Sequence, residues 1–216
     1  MAISLSHLDT LIKEHSLLKH PFYVRWTRGE LTLEDLRVYA KEYYHLVKRI
    51  PGIVARVRDR IPEQYGERFQ KLADDNHKEE LEHIGLWERF ARSLGVPVEE
   101  LQSYIPSKKT QEHVATMEHL AERSFGDGVV AMYSLELDLP AIAETKKKGL
   151  AEFYGLTNED AHCYFDEHMG EEKHLRVWRE VSVNGNRGRE TAKKCLVAQY
   201  GILDAVQKLR GLTAHC

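Results

Sequence analysis

Apolar residues recur at intervals of three and four positions along nearly every long segment of the chain. This spacing places them on one face of a helix, whereas the strict alternation that marks a half-buried strand does not extend over any useful length. The pattern therefore predicts an all-α protein. Counting the periodic segments gives seven or eight helices without internal repeats.

Capping residues, glycines and prolines mark where these helices begin and end. Thr32 and Asp35 have the spacing of an N-terminal capping pair. Pro51 and Pro140 fall inside periodic segments, where a proline is expected to kink the helix. The segments HPFYVRWTRGELT and SVNGNRGR are expected to be a connector and a turn-rich loop. The predicted helices cover about residues 4–18, 33–60, 63–93 (one helix or two stacked ones), 108–124, 129–148, 158–181 and 190–212.

Length and charge narrow the class of protein. With 42% apolar content, residues 1–216 are expected to form a single domain around one continuous core. The 31 basic and 34 acidic residues give a net charge of −3, so the chain has no basic field for nucleic acid or for an anionic membrane. We therefore expect a small-molecule partner.

The sequence also gives an expectation about location. The N-terminal residues lack a basic stretch followed by an apolar run, and no segment has the roughly 18 uncharged apolar residues of a membrane span. The three cysteines, Cys163, Cys195 and Cys216, form no CxxC pair and are too scattered for a disulfide framework. Both observations predict a cytoplasmic protein.

Carboxylates and histidines are distributed over three of the predicted helices. Such donors on separate helices are what a carboxylate-rich two-metal site inside a bundle requires. Glu136 carries most weight, because it lies in the apolar stretch VVAMYSLELDLPAIA, where an unpaired ionised carboxylate would cost several kcal/mol. Asp138 in the same stretch is the alternative. The candidate metal ligands are Asp75, His83, Glu136, His168, Glu171 and His174.

On the last of these three helices, spacing alone does not decide which residues are metal ligands. Glu171 and His174 share one face, but His168 and His174 lie about 120° apart on an ideal helix, so all three converge only where the helix is distorted. Glu172, four residues after His168, competes with Glu171 for the carboxylate position. The same residues would also be ordinary surface groups in a chain with 30% charged residues and 12 histidines.

Four sequence blocks carry a family resemblance: HPFYVRWTRGELTLEDLRVYAKEYYHLVK, HIGLWERFARSLGV, GVVAMYSLELDLPAIAETKKKGL and YFDEHMGEEKH. With them the chain, over about residues 5–180, resembles the family of the Chlamydia protein associating with death domains. That family belongs to the haem-oxygenase-like di-metal oxidases and is more distantly related to the pyrroloquinoline quinone synthase PqqC. The resemblance implies a haem-oxygenase-like (TenA/PqqC-like) bundle of seven to eight helices without haem.

The resemblance also implies two non-haem metal ions, iron and/or manganese, with dioxygen as co-substrate. The carboxylate that precedes His83 has no single match, since Asp75, Asn76 and Glu79 each fit one way of aligning the helix. Glu171 has the family's spacing to His174. Its spacing to His168 is one residue shorter than in the family. The remaining ligand positions fall on His83, Glu136, His168 and His174.

The activity that the resemblance implies is formation of p-aminobenzoate for folate biosynthesis, with the ring taken from a tyrosine of the protein and the amine from a lysine. The matching residues are Tyr23 in HPFYVRW and Lys146 in AETKKKGL. Tyr43 is a candidate for passing electrons from an electron donor or for hydrogen-bonding a peroxide. Periodicity alone favours Lys147 over Lys146, because Lys147 shares a helical face with Glu136.

Three other functions compete with this hypothesis. The same centre would serve to oxidise an external small molecule, a PqqC-like enzyme would work without a metal, and a bundle without chemistry would be an interaction module for helical partners. Tyr23 would then be a core aromatic and Lys146 part of a solvated helix end. The apolar last helix, with CLVAQYGILDAV, would pack on the core or on a second copy in a homodimer.

Overall fold

The protein folds as a bundle of α-helices, which confirms the all-α prediction. The computed structural model describes residues 1–170, 175 and 178–212. In chain order its helices are α1 (Asp9–Glu14), α2 (Pro21–Trp26), α3 (Leu33–Val47), α4 (Ile50–Arg58), α5 (Gly66–Ser93), α6 (Val98–Ser103), α7 (Lys108–Arg123), α8 (Phe125–Glu136), α9 (Leu139–Tyr154), α10 (Glu159–Met169) and α11 (Gly185–Arg210). One-turn 3-10 helices precede α1, α2 and α5, at Leu5–Leu8, Leu17–Lys19 and Glu63–Tyr65.

A small antiparallel sheet joins the N-terminal residues to the segment before α11. Its strands, β1 (Ala2–Ser4) and β2 (Ser182–Asn184), pair with Ile3 opposite Val183. Strands of three residues are too short to show alternation, which is why the sequence did not predict them. The expected turn-rich loop at SVNGNRGR is wrong, because Asn184 ends β2 and its side chain caps α11 by accepting a hydrogen bond from the Arg187 amide.

The two predicted proline kinks are complete breaks between helices. Pro51 lies in the first turn of α4 and Pro140 in the first turn of α9. A proline is tolerated there because the amide hydrogens of a first turn have no partner within the helix. The predicted helices over about residues 33–60 and 129–148 are therefore each divided. The capping pair is confirmed, since the Asp35 amide donates to Thr32 Oγ1 and the Thr32 amide donates to Asp35 Oδ2.

The predicted connector HPFYVRW contains a helix. The Phe22 amide donates to His20 Nδ1 at 3.1 Å, and Pro21 occupies the first position of α2. This cap starts one and a half turns of helix, which buries Phe22, Tyr23 and Trp26 completely. The connector was predicted as a loop because six residues are too few to display a helical period.

The longest described helices form the frame of the bundle. Helix α5 packs against α3, α4 and α10, and α10 packs in turn against α9. Helix α11 packs against α7, α8 and α3, which encloses the other side of the core. Among the helices that the structure describes, none combines the length and apolar character needed to cross a bilayer.

The close approach of α2 and α9 yields the first prediction. A Cβ at Gly149 would lie 2.5 Å from Cδ1 of Trp26, a buried ring that also donates from Nε1 to the Lys146 carbonyl at 3.2 Å. Gly149→Ala must push the helices apart, so we expect it to lower the free energy of unfolding by about 1–3 kcal/mol in urea titrations.

Gly85 provides the matched control. It also lies inside a helix, but a Cβ there meets no atom within 4 Å. Gly85→Ala is expected to raise the free energy of unfolding by about 0.5–1 kcal/mol, because alanine restricts the unfolded chain and favours the helix. Equal effects of the two substitutions would contradict the importance of the Trp26 contact.

Candidate active site

A polar segment interrupts the buried face of α5. Residues on this face follow the helical period, with Phe69 and Ala73 before the segment and Trp87 and Phe90 after it. Asn76, Glu80 and His83 lie between them, all at most 5% exposed, and within an arc of about 60° on an ideal helix. Buried polar side chains in two successive turns identify this part of the α5 face as a candidate site.

Helix α10 places a second histidine opposite the first. The ring centroids of His83 and His168 are 4.3 Å apart. His83 Nδ1 donates to Glu80 Oε2 at 3.2 Å, and His168 Nδ1 donates to the Tyr164 carbonyl at 2.6 Å, since a carboxylate or a carbonyl oxygen only accepts. In the neutral form of each ring the lone pair lies on Nε2, the arrangement found in histidines that bind metal through Nε2.

Glu136 is the buried carboxylate of its segment. It is the last residue of α8 and 3% exposed, and Trp178 Nε1 donates to its Oε1 at 3.4 Å. Asp138, the alternative that the sequence allowed, is half-buried in the turn between α8 and α9. The structure therefore favours Glu136 as the donor from this region.

The structure does not bring Asp75 to the histidine pair. Its side chain is 49% exposed and lies 3.7 Å from the Lys78 amine. Glu79 is half-buried at the edge of the buried face, whereas Asn76 is buried on that face with His83. Glu80 was not among the site residues predicted from the sequence. Its position three residues before His83, on the same helical face as the buried residues of α5, would have identified it.

Part of the predicted metal site lies outside the described residues. This applies to Glu171, to its competitor Glu172 and to His174. Within residues 1–170, 175 and 178–212, no three His, Cys, Asp or Glu side chains are gathered closely enough to hold an ion by themselves. The buried donors Glu80, His83, Glu136 and His168 nevertheless fit iron or manganese in chemical type, because both metals take imidazole and carboxylate ligands.

A lysine pocket lies next to this region. The amine of Lys146, on α9, is 2% exposed and donates a hydrogen bond of 2.6 Å to the Tyr39 hydroxyl, which lies 3.3 Å from the Tyr23 hydroxyl. Its Nζ is 5.2–5.8 Å from five aromatic ring centroids. The lysine pocket consists of Lys146 and the rings of Tyr23, Tyr39, Tyr43, Trp87 and Phe165.

Burial determines the protonation states in the lysine pocket. Desolvation lowers the pKa of Lys146 to about 7 and raises the pKa values of Tyr23 and Tyr39 well above those of free phenols. The amine is therefore partly neutral near pH 7 and the phenols are fully neutral. A neutral lysine amine is a nucleophile and a base, whereas the ammonium ion is neither.

The structure also decides between the neighbouring lysines. Lys147 pairs with Asp166 at the surface, and Lys148 is exposed. The interpretation of KKKG as a helix end is wrong, because α9 continues to Tyr154 and is capped at Gly155. Solvation is confirmed for Lys147 and Lys148 and is wrong for Lys146. The prediction that Lys147 shares a helical face with Glu136 is wrong, because it assumed one continuous helix. Glu136 ends α8, and the lysines lie on the separate helix α9.

Aromatic rings connect the lysine pocket to the histidine pair. Trp87 stacks on Tyr43 at a centroid distance of 5.2 Å and contacts Tyr164 at 4.7 Å. The Tyr164 ring is 4.4 Å from that of His168. The two polar regions of the core are thus joined through successive ring contacts, with Tyr43 at the end nearer the lysine.

Solved structures share this arrangement of helices. A domain of unknown function with a heme oxygenase-like fold from Shewanella denitrificans superposes with a TM-score of 0.79 at 20% identity, covering 97% of this chain and 94% of that one. A CADD-like protein of unknown function from Nostoc punctiforme has a TM-score of 0.70 at 15% identity, covering 98% of each chain. These likenesses confirm the predicted haem-oxygenase-like bundle.

Sequence comparison defines the family. The chain belongs to the TENA/THI-4/PQQC family, which matches residues 8–186. It is 35% identical over 214 residues to the 4-aminobenzoate synthase of Chlamydia muridarum, covering 93% of this chain and 89% of that protein. It is 33% identical over 174 residues to the 4-aminobenzoate synthase of Nitrosomonas europaea, covering 75% and 70%. The resemblance seen in the sequence blocks is confirmed.

The buried amine gives a prediction about pH. The folded pKa of Lys146 is about 7 against an ordinary value of 10.5, so between these pH values the unfolded chain binds more protons and stability rises with pH. This residue contributes a slope of up to about 1.4 kcal/mol per pH unit. Lys146→Met removes this contribution. Between about pH 7.5 and 9.5, the free energy of unfolding in urea titrations should therefore rise by roughly 2 kcal/mol more in wild type than in the variant.

Lys147→Met is the control for this measurement. Its side chain lies at the surface, so the pH dependence of unfolding should stay as in wild type. A Lys146→Met protein with the wild-type slope would contradict a neutral amine in the core.

Proposed function

We propose that this chain is a 4-aminobenzoate synthase: an oxygen-dependent, non-haem di-metal oxidase that forms p-aminobenzoate for folate biosynthesis from its own Tyr23 and Lys146. The lysine pocket carries the proposal, because it holds a partly neutral amine beside two phenols inside the core. The names of the similar Chlamydia and Nitrosomonas proteins support the same activity.

The chemistry of the product fits the lysine pocket. The carbon skeleton of p-aminobenzoate corresponds to the ring and Cβ of a tyrosine, and its nitrogen replaces the phenolic oxygen. Lys146 Nζ lies 5.3 Å from the centroid of the Tyr23 ring and contacts the Tyr23 hydroxyl through that of Tyr39. When a phenol here is oxidised it releases a proton, and the lone pair of the neutral Lys146 amine, which is hydrogen-bonded to the Tyr39 hydroxyl, is the base available to accept that proton.

Burial favours a substrate that comes from the protein itself. Tyr23 is 0% exposed and Lys146 is 2% exposed, and Trp26, Trp87 and Phe165 cover them. Among the described residues neither side chain is open to solvent, and Tyr23 already lies beside the amine. Oxidation of an external small molecule is therefore our second candidate function.

The metal site completes the proposal. Two ions, iron and/or manganese, held by His83, Glu136, His168 and the predicted ligands Glu171 and His174, would supply the activation of dioxygen, with electrons from a donor. The chain's own groups orient these ligands: Glu80 fixes the His83 ring and the Tyr164 carbonyl fixes that of His168. The aromatic rings between the two regions are themselves buried, and Lys146 beside them is 2% exposed.

The proposal includes a cytoplasmic location. The support is that Cys163 and Cys195 are free thiols, which suits a reducing compartment.

Metal content tests the di-metal part of the proposal. Protein expressed with iron and manganese should contain about two metal ions per chain by plasma mass spectrometry. Glu136→Ala should lose most of them, because a buried carboxylate donor disappears. Asp138→Ala, at the half-buried neighbour, should keep the wild-type content. Metal-free wild-type protein that still oxidises a substrate would favour a PqqC-like enzyme, and one without activity would favour an interaction module.

Isotope labelling tests the origin of the product. Protein that contains tyrosine with heavy carbon in the ring should release heavy p-aminobenzoate, detected by liquid chromatography and mass spectrometry, at no more than about one molecule per chain. Tyr23→Phe should release none, whereas Tyr65→Phe, outside the lysine pocket, should behave as wild type. Unlabelled product from the labelled protein would show that the substrate is external.

A further inference from the structure

We infer that the neutral imidazole of His20 holds helix α2 in place and thereby positions the Tyr23 ring beside Lys146, and that protonation of this imidazole releases the helix. The inference rests on the proposed function, in which Tyr23 supplies the ring of the product. It adds to that function a positioning residue outside the lysine pocket and a dependence on pH.

His20 supplies the hydrogen-bond acceptors for the first three amide hydrogens of α2. Its Nδ1 accepts from the Phe22 amide at 3.1 Å. Its carbonyl oxygen accepts from the Tyr23 amide at 2.9 Å and from the Val24 amide at 3.1 Å. Helix α2 has only six residues, and a helix this short is not stable by itself in water. Its position therefore depends on this cap and on the packing of its side chains.

The other side of the imidazole ties α2 to α11. His20 Nε2 donates to Asp204 Oδ1 at 3.2 Å, and the Tyr200 ring meets the imidazole edge to face with 5.0 Å between the centroids. The His20 side chain is 1% exposed, so the ring is enclosed by the core. At the other end of α2, Trp26 Nε1 donates to the Lys146 carbonyl. The two ends of α2 are thus fixed by different helices, α11 and α9.

These contacts require one neutral form of the His20 ring. A backbone amide only donates, so Nδ1 must carry the lone pair, and a carboxylate only accepts, so Nε2 must carry the hydrogen. Protonation places a second hydrogen on Nδ1, where it faces the Phe22 amide hydrogen, and the cap is lost. Serine, threonine and asparagine are common capping residues that do not titrate, whereas a histidine cap makes α2 sensitive to pH.

The surroundings of the ring determine the pH range of this change. The groups that face His20 or line the cleft beside it are Asp204 and Tyr200 on α11, Lys109 and His113 on α7, and His15 before α2. Burial lowers the pKa of His20 below its ordinary value of 6.5, while Asp204 opposes this shift and Lys109 adds to it. Below about pH 6.5 the released state therefore binds more protons than the held state. Until the lower pKa of the held imidazole is reached, each unit of falling pH favours release by up to about tenfold.

Hydrogen exchange of the α2 amides, followed by mass spectrometry of peptides that contain this helix, tests the inference in the full chain. His20→Asn is the central variant, because the asparagine oxygen can cap α2 and does not titrate. The ratio of wild-type to variant protection at each pH cancels the intrinsic pH dependence of exchange and the ionisation of Lys146. We expect this ratio to fall about fivefold or more from about pH 7.5 to about pH 5.

Three further variants control the measurement. His20→Ser carries another cap that does not titrate, so it should behave as His20→Asn. His20→Ala has no capping atom and should show low protection of α2 at both pH values. His15→Asn removes an imidazole from the same cleft and leaves the cap intact, so its protection should follow the wild-type dependence on pH.

The rate of p-aminobenzoate formation gives a second reading, and the ratio of the wild-type to the His20→Asn rate should fall over the same pH range. Equal pH dependence of exchange in wild type and His20→Asn overturns the inference and leaves the proposed function intact. A fall in protection without a fall in the rate ratio also overturns it, because Tyr23 would then not depend on the cap. A wild type that forms no p-aminobenzoate overturns the proposed function, whereas the exchange ratio still decides whether His20 holds α2.

Discussion

The hydrogen bond between the Lys146 amine and the Tyr39 hydroxyl is the interaction around which the candidate active site is built. An ammonium ion surrounded by aromatic rings loses its hydration, and this desolvation lowers the pKa of Lys146 to about 7. The neutral amine donates to the Tyr39 hydroxyl, and because it has no net charge its burial costs far less free energy than burial of an ammonium ion. The fold can therefore keep a reactive nitrogen in its core near neutral pH.

Helix packing holds that amine in place. Gly149 allows Trp26 to lie directly on α9, and the Trp26 indole donates to the carbonyl of Lys146 itself. The break before Pro140 lets α9 turn away from α8, so that the lysine faces α3 and α10 instead of following the direction of Glu136. Backbone geometry at Gly149 and Pro140 thus decides which of three consecutive lysines is buried.

Helices α5 and α10 link the lysine pocket to the histidine pair. Helix α5 contributes Trp87 to the lysine pocket and His83 to the histidine pair. Helix α10 contributes Phe165 to the pocket and His168 to the pair. Because these helices pack along each other, the rings between the two regions are in contact. A displacement of either helix would alter the amine and the histidines together.

Much of this protein followed from its sequence alone. Local periodicity and capping predicted the long helical segments, although as seven or eight helices where the structure describes eleven, because short α2 and the breaks before α4 and α9 were not predicted. Thr32 predicted the start of α3, and Glu136 was recognisable as a buried carboxylate because its neighbours are apolar. Only the tertiary structure decided that Lys146 and not Lys147 is buried, that Glu80 rather than Asp75 accompanies His83, and that β1 pairs with β2. The reason is physical: periodicity reports the faces of one helix, whereas partner, burial and protonation depend on neighbouring helices that are distant in sequence.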